Sequence, residues 1–345
     1  TRSLTKVLRE AGVMNALLVS GDSEAADAVR KALKNSRAKA SLLKKIKSFK
    51  IINAVRAVSC SENDTKPANP AKKGKAKRVV LWDFGAKANI ERELTKRGLL
   101  VMRVPAASSA EDILSLKPDG IMLSNGPGDP SENTEIIKNI KAVCKSGVPI
   151  FGICLGHQLL ALARGAKTKK LKYGHRGENQ PVKHLSGRVY ISSQNHGYAV
   201  ENGSLPRGAV LSFVNANDGT CEGITYTDIP AFSVQFHPEA AAGPLDLNFI
   251  FDDFINLIND HAYFNNFKTP YKAVDAASYF AAAIRSTKRG KTVKKAEPES
   301  TVKTGKSSDT SAKKKNAGKR SVVQKAKSAN THRAVHKTKS AKVRG

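Results

Sequence analysis

Acidic residues are scarce in this chain: 29 Asp and Glu stand against 59 Lys and Arg, a formal net charge of +30 over 345 residues. Spread evenly, such a deficit would point to nucleic acid or an anionic surface. It is not even. Residues 1–78 carry +13 and residues 286–345 carry +16, whereas residues 79–285 carry only +1. The middle therefore reads as an ordinary globular segment, and the basic character belongs to the ends. Aromatics make up 6% of the chain. None falls in 286–345, which removes the stacking platforms on which single-stranded nucleic acid is held. Cysteine is also sparse: Cys60, Cys144, Cys154 and Cys221 show no regular spacing, which argues against a disulfide framework or a zinc site. A reducing compartment follows, the cytoplasm by default, with an organelle as the alternative. No apolar run approaches the roughly 18 residues of a membrane helix, so a soluble protein without a membrane partner is expected. The first residue is Thr rather than Met, and the natural N-terminus is expected upstream of it.

The remaining residues sort into five stretches. Residues 1–60 show helical patterning (Leu4, Val7, Leu8; Ala25, Ala28, Val29, Leu33) around a short apolar strand candidate, Ala16–Val19. Residues 61–78, rich in Lys, Pro, Asn and Ala, read as a linker. From Val79 short apolar runs alternate with helical periods: strands at Val79–Phe84, Leu99–Val104, Gly120–Ser124 and Val148–Cys154, helices at Ala88–Arg97, Ala110–Leu116, Thr134–Lys145 and His157–Arg164. This alternation predicts βαβ units, an α/β fold with an open, mostly parallel sheet and flanking helices. After Lys170 the pattern is β, with strands at Arg188–Ser193, Ala209–Val214, Glu222–Thr227 and Ala231–Phe236, and a helix at Asn248–Ile258 closes the domain near residue 262. Residues 263–285 hold one more helical period. Residues 286–345 lack large apolar side chains and are expected to be disordered.

Three motifs carry chemistry. Phe151-Gly152-Ile153-Cys154-Leu155-Gly156-His157-Gln158 runs an apolar strand straight into a helix, with glycine two residues either side of Cys154. That is the nucleophile-elbow arrangement with a thiol in place of a hydroxyl. It sets the sulfur at a helix N-terminus, where the dipole favours an anion. Taken alone, the turn fits a buried structural cysteine equally well. The strand Ala231–Phe236 ends in His237-Pro238-Glu239, a base and an acceptor to orient it, which a thiol nucleophile requires. The loop Ser124-Asn125-Gly126-Pro127-Gly128-Asp129-Pro130 follows a third strand. Its exposed amides, with the N–H of Leu155, can bind an oxyanion. All three motifs fall at strand C-termini, the edge where open α/β sheets build their sites.

Together these motifs resemble the class I glutamine amidotransferase domain with its Cys-His-Glu triad. Lys172–Val182 (KYGHRGENQPV) and Ser193–Val200 (SQNHGYAV), with the opening Val79–Ile90 and the stretch Asn217–Ile224, narrow the likeness to the small, glutamine-hydrolysing subunits of carbamoyl phosphate synthetase. The resemblance runs from Val79 to about Asp260. It identifies residues 1–60 with the end of those subunits' N-terminal domain, most of which would precede Thr1 together with one glutamine-contacting Ser.

The resemblance implies that Cys154 attacks the glutamine carboxamide, that His237 protonates the departing ammonia and activates water, and that Glu239 orients His237. Gly126, Gly128 and Leu155 would hold the substrate and its oxyanion, and Gln158, Asn195, Gly197 and Tyr198 would contact its amino-acid portion. His157 and His196 are expected to pack or support rather than react. No metal and no organic cofactor is expected in this chain; ATP, magnesium and bicarbonate would belong to a large synthetase subunit, the expected partner, which receives the ammonia. Residues 286–345 read as a solvated extension rather than a site for nucleic acid or an acidic partner. The rival reading of the whole is an inert amidotransferase scaffold carrying a nucleic-acid-binding tail.

Overall fold

In the computed structural model, residues 2–66 and 76–260 are described. The helix expected over 263–285 and the tail over 286–345 lie outside them. The chain opens with four helices, α1 (Arg2–Ala11), α2 (Glu24–Lys34), α3 (Ser36–Ser48) and α4 (Ala54–Val58). Ser23 and Asn35 cap α2 and α3 by accepting the N–H groups of Ala26 and Ala38, the role short oxygen-bearing side chains fill at an N-cap. Neither α1 nor α3 buries a residue. The strand expected at Ala16–Val19 is not formed; these residues are irregular, with Leu17 50% and Leu18 96% exposed. Among the described residues no strand pairs with them to satisfy their amides, and an apolar tetrapeptide cannot supply a ladder alone.

With α4 the chain enters the apolar core. Val55 is buried in the same apolar cluster as Trp82 and Phe84. The Asp83 carboxylate accepts the Cys60 N–H at 3.0 Å, and the Ser59 hydroxyl accepts the Ala106 N–H at 2.8 Å. Part of the segment read as a linker, β1 (Asp64–Lys66), is a strand. The alternating region then runs β2 (Arg78–Asp83), α5 (Ala88–Lys96), β3 (Leu100–Pro105), α6 (Ala110–Ser115), β4 (Gly120–Leu123), α7 (Thr134–Val143), β5 (Ile150–Ile153) and α8 (Leu155–Ala163). The β-rich part follows as β6 (Thr168–His184), β7 (Val189–Val200), β8 (Ala209–Asn215), β9 (Cys221–Tyr226) and β10 (Ala231–Val234), closed by α9 (Ile250–Asn259).

One ten-stranded sheet orders these as β1-β3-β2-β4-β5-β10-β9-β8-β6-β7. The block β3-β2-β4-β5-β10 is parallel throughout. The strand β1 lies antiparallel along one edge, and β9, β8, β6 and β7 continue antiparallel from the other. Every residue of β4, β5 and β10 is buried, as expected for strands covered on both faces. Alternate residues of β2 feed two apolar clusters. Val80 and Trp82 join Ile140, Leu155 and Leu160, while Val79 and Leu81 join Phe151, Phe232, Phe251 and Phe254.

The largest departure from the sequence reading is the β6–β7 hairpin. A strand was expected only at Arg188–Ser193, yet β6 runs 17 residues and β7 continues to Val200. Val182 is the one residue of β6 that is buried, so the apolar alternation that betrays a half-buried strand is missing.

Candidate active site

Cys154 lies between β5 and α8, as the first helical turn begins, and is almost fully buried. Its φ of 53° and ψ of −101° put it in a region non-glycine residues rarely visit. Strain of that kind persists only where neighbours enforce it. Here the Cys154 N–H donates to the Val234 carbonyl at 2.8 Å and the Gly156 N–H to the Ser124 carbonyl at 3.0 Å, tying the turn to β10 and to the end of β4. Both glycines are required by close approach. A Cβ on Gly156 would sit 2.3 Å from the Leu123 carbonyl oxygen, and one on Gly152 would meet the Gly156 backbone at 2.9 Å.

His237 follows β10, and its N–H donates to the Ser193 carbonyl of β7 at 2.9 Å. Its Nδ1 lies 2.7 Å from Glu239 Oε1, with both side chains buried. Burial alone would lower the imidazole pKa, but the adjoining Cys154 sulfur and the Glu239 carboxylate outweigh it and raise it to about 10. Burial likewise pushes Glu239 upward, and His237, aided by Lys87, more than reverses it and leaves the carboxyl below its usual range. The three predicted members thus meet: His237 and Glu239 form a charged, hydrogen-bonded pair, and the Cys154 sulfur adjoins the imidazole. Glu239 Oε2 is buried and has no partner among the described residues.

Gly126 and Leu155 are brought together: a Cβ on Gly126 would lie 2.6 Å from Leu155 Cδ2 and 2.3 Å from the Phe84 carbonyl oxygen. Leu155 opens α8, whose first amides lack intrahelical partners. Gly128 adopts φ 93°. With Asp129 it borders a cavity of about 610 Å³ facing Ile52–Arg56, which Cys154 does not line. Gln158 is buried, and its amide nitrogen donates to the Tyr198 carbonyl and to Gln235 Oε1, both at 2.8 Å, so its donors are engaged within the protein. The Tyr198 hydroxyl pairs with Asp129, joining β7 to the glycine loop. Asn195 is exposed on β7 and Gly197 is half-buried. His157 is wholly buried, bonds the Ser233 hydroxyl through Nδ1 at 2.9 Å, and is pushed by burial to a pKa of about 3. It packs, neutral.

Two contributors escaped the sequence reading. Lys87 Nζ lies 3.4 Å from Glu239 Oε1, and the Asn89 carboxamide donates to the Glu239 carbonyl. Both sit where β2 gives way to α5, at the same strand edge as the three motifs. That edge was the available signal.

The class-I glutamine amidotransferase family model matches residues 80–257. The chain is 45% identical over 262 residues to a carbamoyl phosphate synthase small chain of Listeria monocytogenes, covering 75% of this chain and 66% of that one. It is 48% identical over 263 residues to the same-named chain of Fusobacterium nucleatum, covering 76% and 68%. The chain therefore spans about two thirds of the length of the curated relatives it matches. A solved glutamine amidotransferase from Thermotoga maritima is similar at 19% identity and a TM-score of 0.39, covering 63% of this chain and 94% of that one. A relative of nearly half identical sequence and a family model matching residues 80–257, more than half of the chain, make this chain a member of the class-I glutamine amidotransferases, of the carbamoyl phosphate synthase small-chain type.

Proposed function

We propose that this chain hydrolyses glutamine and delivers the ammonia to a large synthetase chain that makes carbamoyl phosphate. The observation that carries the reading is the strained, buried Cys154 at the N-terminus of α8 beside a His237 that is itself 2.7 Å from Glu239. A structural cysteine needs neither the positive φ nor a charged imidazole–carboxylate pair.

In this mechanism the Cys154 sulfur attacks the carboxamide carbon of glutamine. The amides of Leu155 and the Gly126–Gly128 loop receive the oxyanion, each such donor being worth about 3 kcal/mol of barrier. The tetrahedral adduct collapses by breaking the C–N bond, and the His237 imidazolium gives its proton to the leaving nitrogen. Neutral His237 then takes a proton from water, which attacks the thioester, releases glutamate and restores the thiol. Glu239, itself held by Lys87, keeps the His237 ring in place for both transfers. Gln158 and Tyr198, bonded to each other, with Asn195 and Gly197 on the same strand, would contact the amino-acid end of glutamine. Thioester hydrolysis needs no metal or organic cofactor; ATP, magnesium and bicarbonate serve the large chain. The name shared by the relatives, a small chain of carbamoyl phosphate synthase, supports that partner and the supply of pyrimidine and arginine synthesis. All four cysteines are free thiols, which suits the cytoplasm. No helix among the described residues is long and apolar enough to cross a membrane.

The test is ammonia release from glutamine by the wild type and by Cys154→Ala, with mass spectrometry for a glutamyl adduct on Cys154. Loss of both in the variant is expected. Equal rates in the two proteins would sink the assignment and favour the inert-scaffold reading.

A further inference from the structure

Three strands bring a second cluster together beside the triad. His175 on β6 and His196 on β7 are direct cross-strand partners, and Glu222 stands on β9. His175 Nδ1 lies 3.2 Å from His196 Nε2 and 3.2 Å from Glu222 Oε1, and the third side of the triangle is 3.9 Å. Ligand bonds of about 2.0–2.2 Å in a tetrahedral site place neighbouring ligand atoms roughly 3.3–3.6 Å apart. The triangle already has nearly those dimensions.

The outward-facing atoms fix the inward-facing ones. His196 Nδ1 lies 2.8 Å from the Tyr198 carbonyl, which can only accept, so Nδ1 carries the proton and Nε2 turns a lone pair inward. His175 Nε2 lies 3.0 Å from Asp218 Oδ2, which holds the proton on that nitrogen and leaves Nδ1 to face the cluster. A histidine that donates one nitrogen to a carboxylate or a carbonyl and offers the other to a common point is the usual supporting arrangement of a metal ligand.

The centre is rich in acceptors and poor in donors. Besides the two imidazole nitrogens it holds Gln194 Oε1, 3.0 Å from His196 Nε2. Glu222 is wholly buried; its Oε1 receives the Asn215 amide at 3.3 Å, the Gln194 amide also faces it, and its Oε2 has no partner among the described residues. Two carboxylates, Glu222 and Asp218, bear on this point. A proton on His175 balances one of them; a divalent ion balances both.

We propose that His175, His196 and Glu222 form a structural site for a divalent transition ion, zinc by donor chemistry, with Gln194 Oε1 or a water as the fourth ligand and Asp218 behind His175. The ion fastens β6, β7 and β9 next to an irregularity in the β6–β7 pairing between Lys170 and His175. The cluster adjoins the proposed glutamine-binding residues but uses none of the triad, and it stands whether or not the chain hydrolyses glutamine.

Chelator-treated protein is titrated with zinc against a chromophoric chelator, and with cobalt(II) for the absorption bands of a four-coordinate site. Wild type and Cys154→Ser are each expected to take up one equivalent, because the triad thiol is not a ligand. Glu222→Gln is expected to lose the site, and Asp218→Asn, a change at a half-exposed side chain that need not disturb folding, to bind about 10–100-fold more weakly. The inference is overturned if wild type takes up no stoichiometric ion, if Asp218→Asn and Glu222→Gln bind as tightly as wild type, or if Cys154→Ser alone abolishes uptake. The cluster would then be an ion pair closed by a proton on His175.

Discussion

At the scale of single residues, the proposed reacting set depends on charge held away from water. His237 has a folded pKa well above its ordinary value, so the stability it contributes is full below about pH 6.5 and is lost as pH rises through about 10. Glu239 has a depressed pKa, so its share is present above the ordinary carboxylate range and lost as pH falls through its folded value. Urea midpoints of wild type and Glu239→Gln, measured across this range, should accordingly differ most near neutrality and converge toward about pH 10. In glutaminase assays the same variant is expected to lose about 10²–10⁴-fold in kcat, the usual worth of a correctly held general acid–base. Gly156→Ala tests the elbow in another way. Its methyl group would meet the Leu123 carbonyl at 2.3 Å, backbone that cannot yield cheaply, so a loss of about 1–3 kcal/mol in denaturant unfolding and of most glutaminase activity is expected.

At the scale of elements, what was legible followed from period. The strands at Val79, Gly120 and Ala231 announced themselves as short apolar runs buried on both faces, and the helices at Ala88 and Thr134 because each buries a regular apolar face against the sheet. The grouping of Cys154, His237 and Glu239 was legible for a related reason: glycines and prolines mark turns, and turns at strand ends bring side chains together. Lys87 was not, because its role rests on an ion pair with a carboxylate over 150 positions away. Nor was the His175–Glu222 cluster, whose members are spread over β6, β7 and β9, two of them on a hairpin lacking an apolar signature. The helix α9 shows how an expected element does its work. Phe254 packs against Phe151 and Phe232, with ring centroids 5.6 and 6.5 Å away, and Ile258 covers Gly120 so closely that a Cβ there would clash. Phe254→Ala should cost about 3–5 kcal/mol, read as a lower denaturant midpoint at constant slope.

At the scale of the whole molecule, the composition and the fold speak of different parts of the chain. The site and nearly all of the sheet, β1 and Arg78 excepted, lie within a stretch of net charge +1, so the site's electrostatics are set by buried pairs such as His237 with Glu239 rather than by the +30 total. Of that total, +16 falls in residues 286–345, and deleting them leaves +14, most of it in residues 1–78. Lys and Arg bind polyanions by releasing counterions, with an affinity that falls steeply with salt. The chain ending at residue 285 should therefore leave a heparin column at lower salt than the full chain while releasing ammonia from glutamine at the same rate. Screening explains the second half of that expectation: at physiological ionic strength a solvated charge acts over about 8 Å, whereas the triad's charges interact within a dry interior. A fall in glutaminase activity on truncation would show that the basic segment reaches the site. Unchanged heparin elution would place the polyanion-binding surface in residues 1–78 instead.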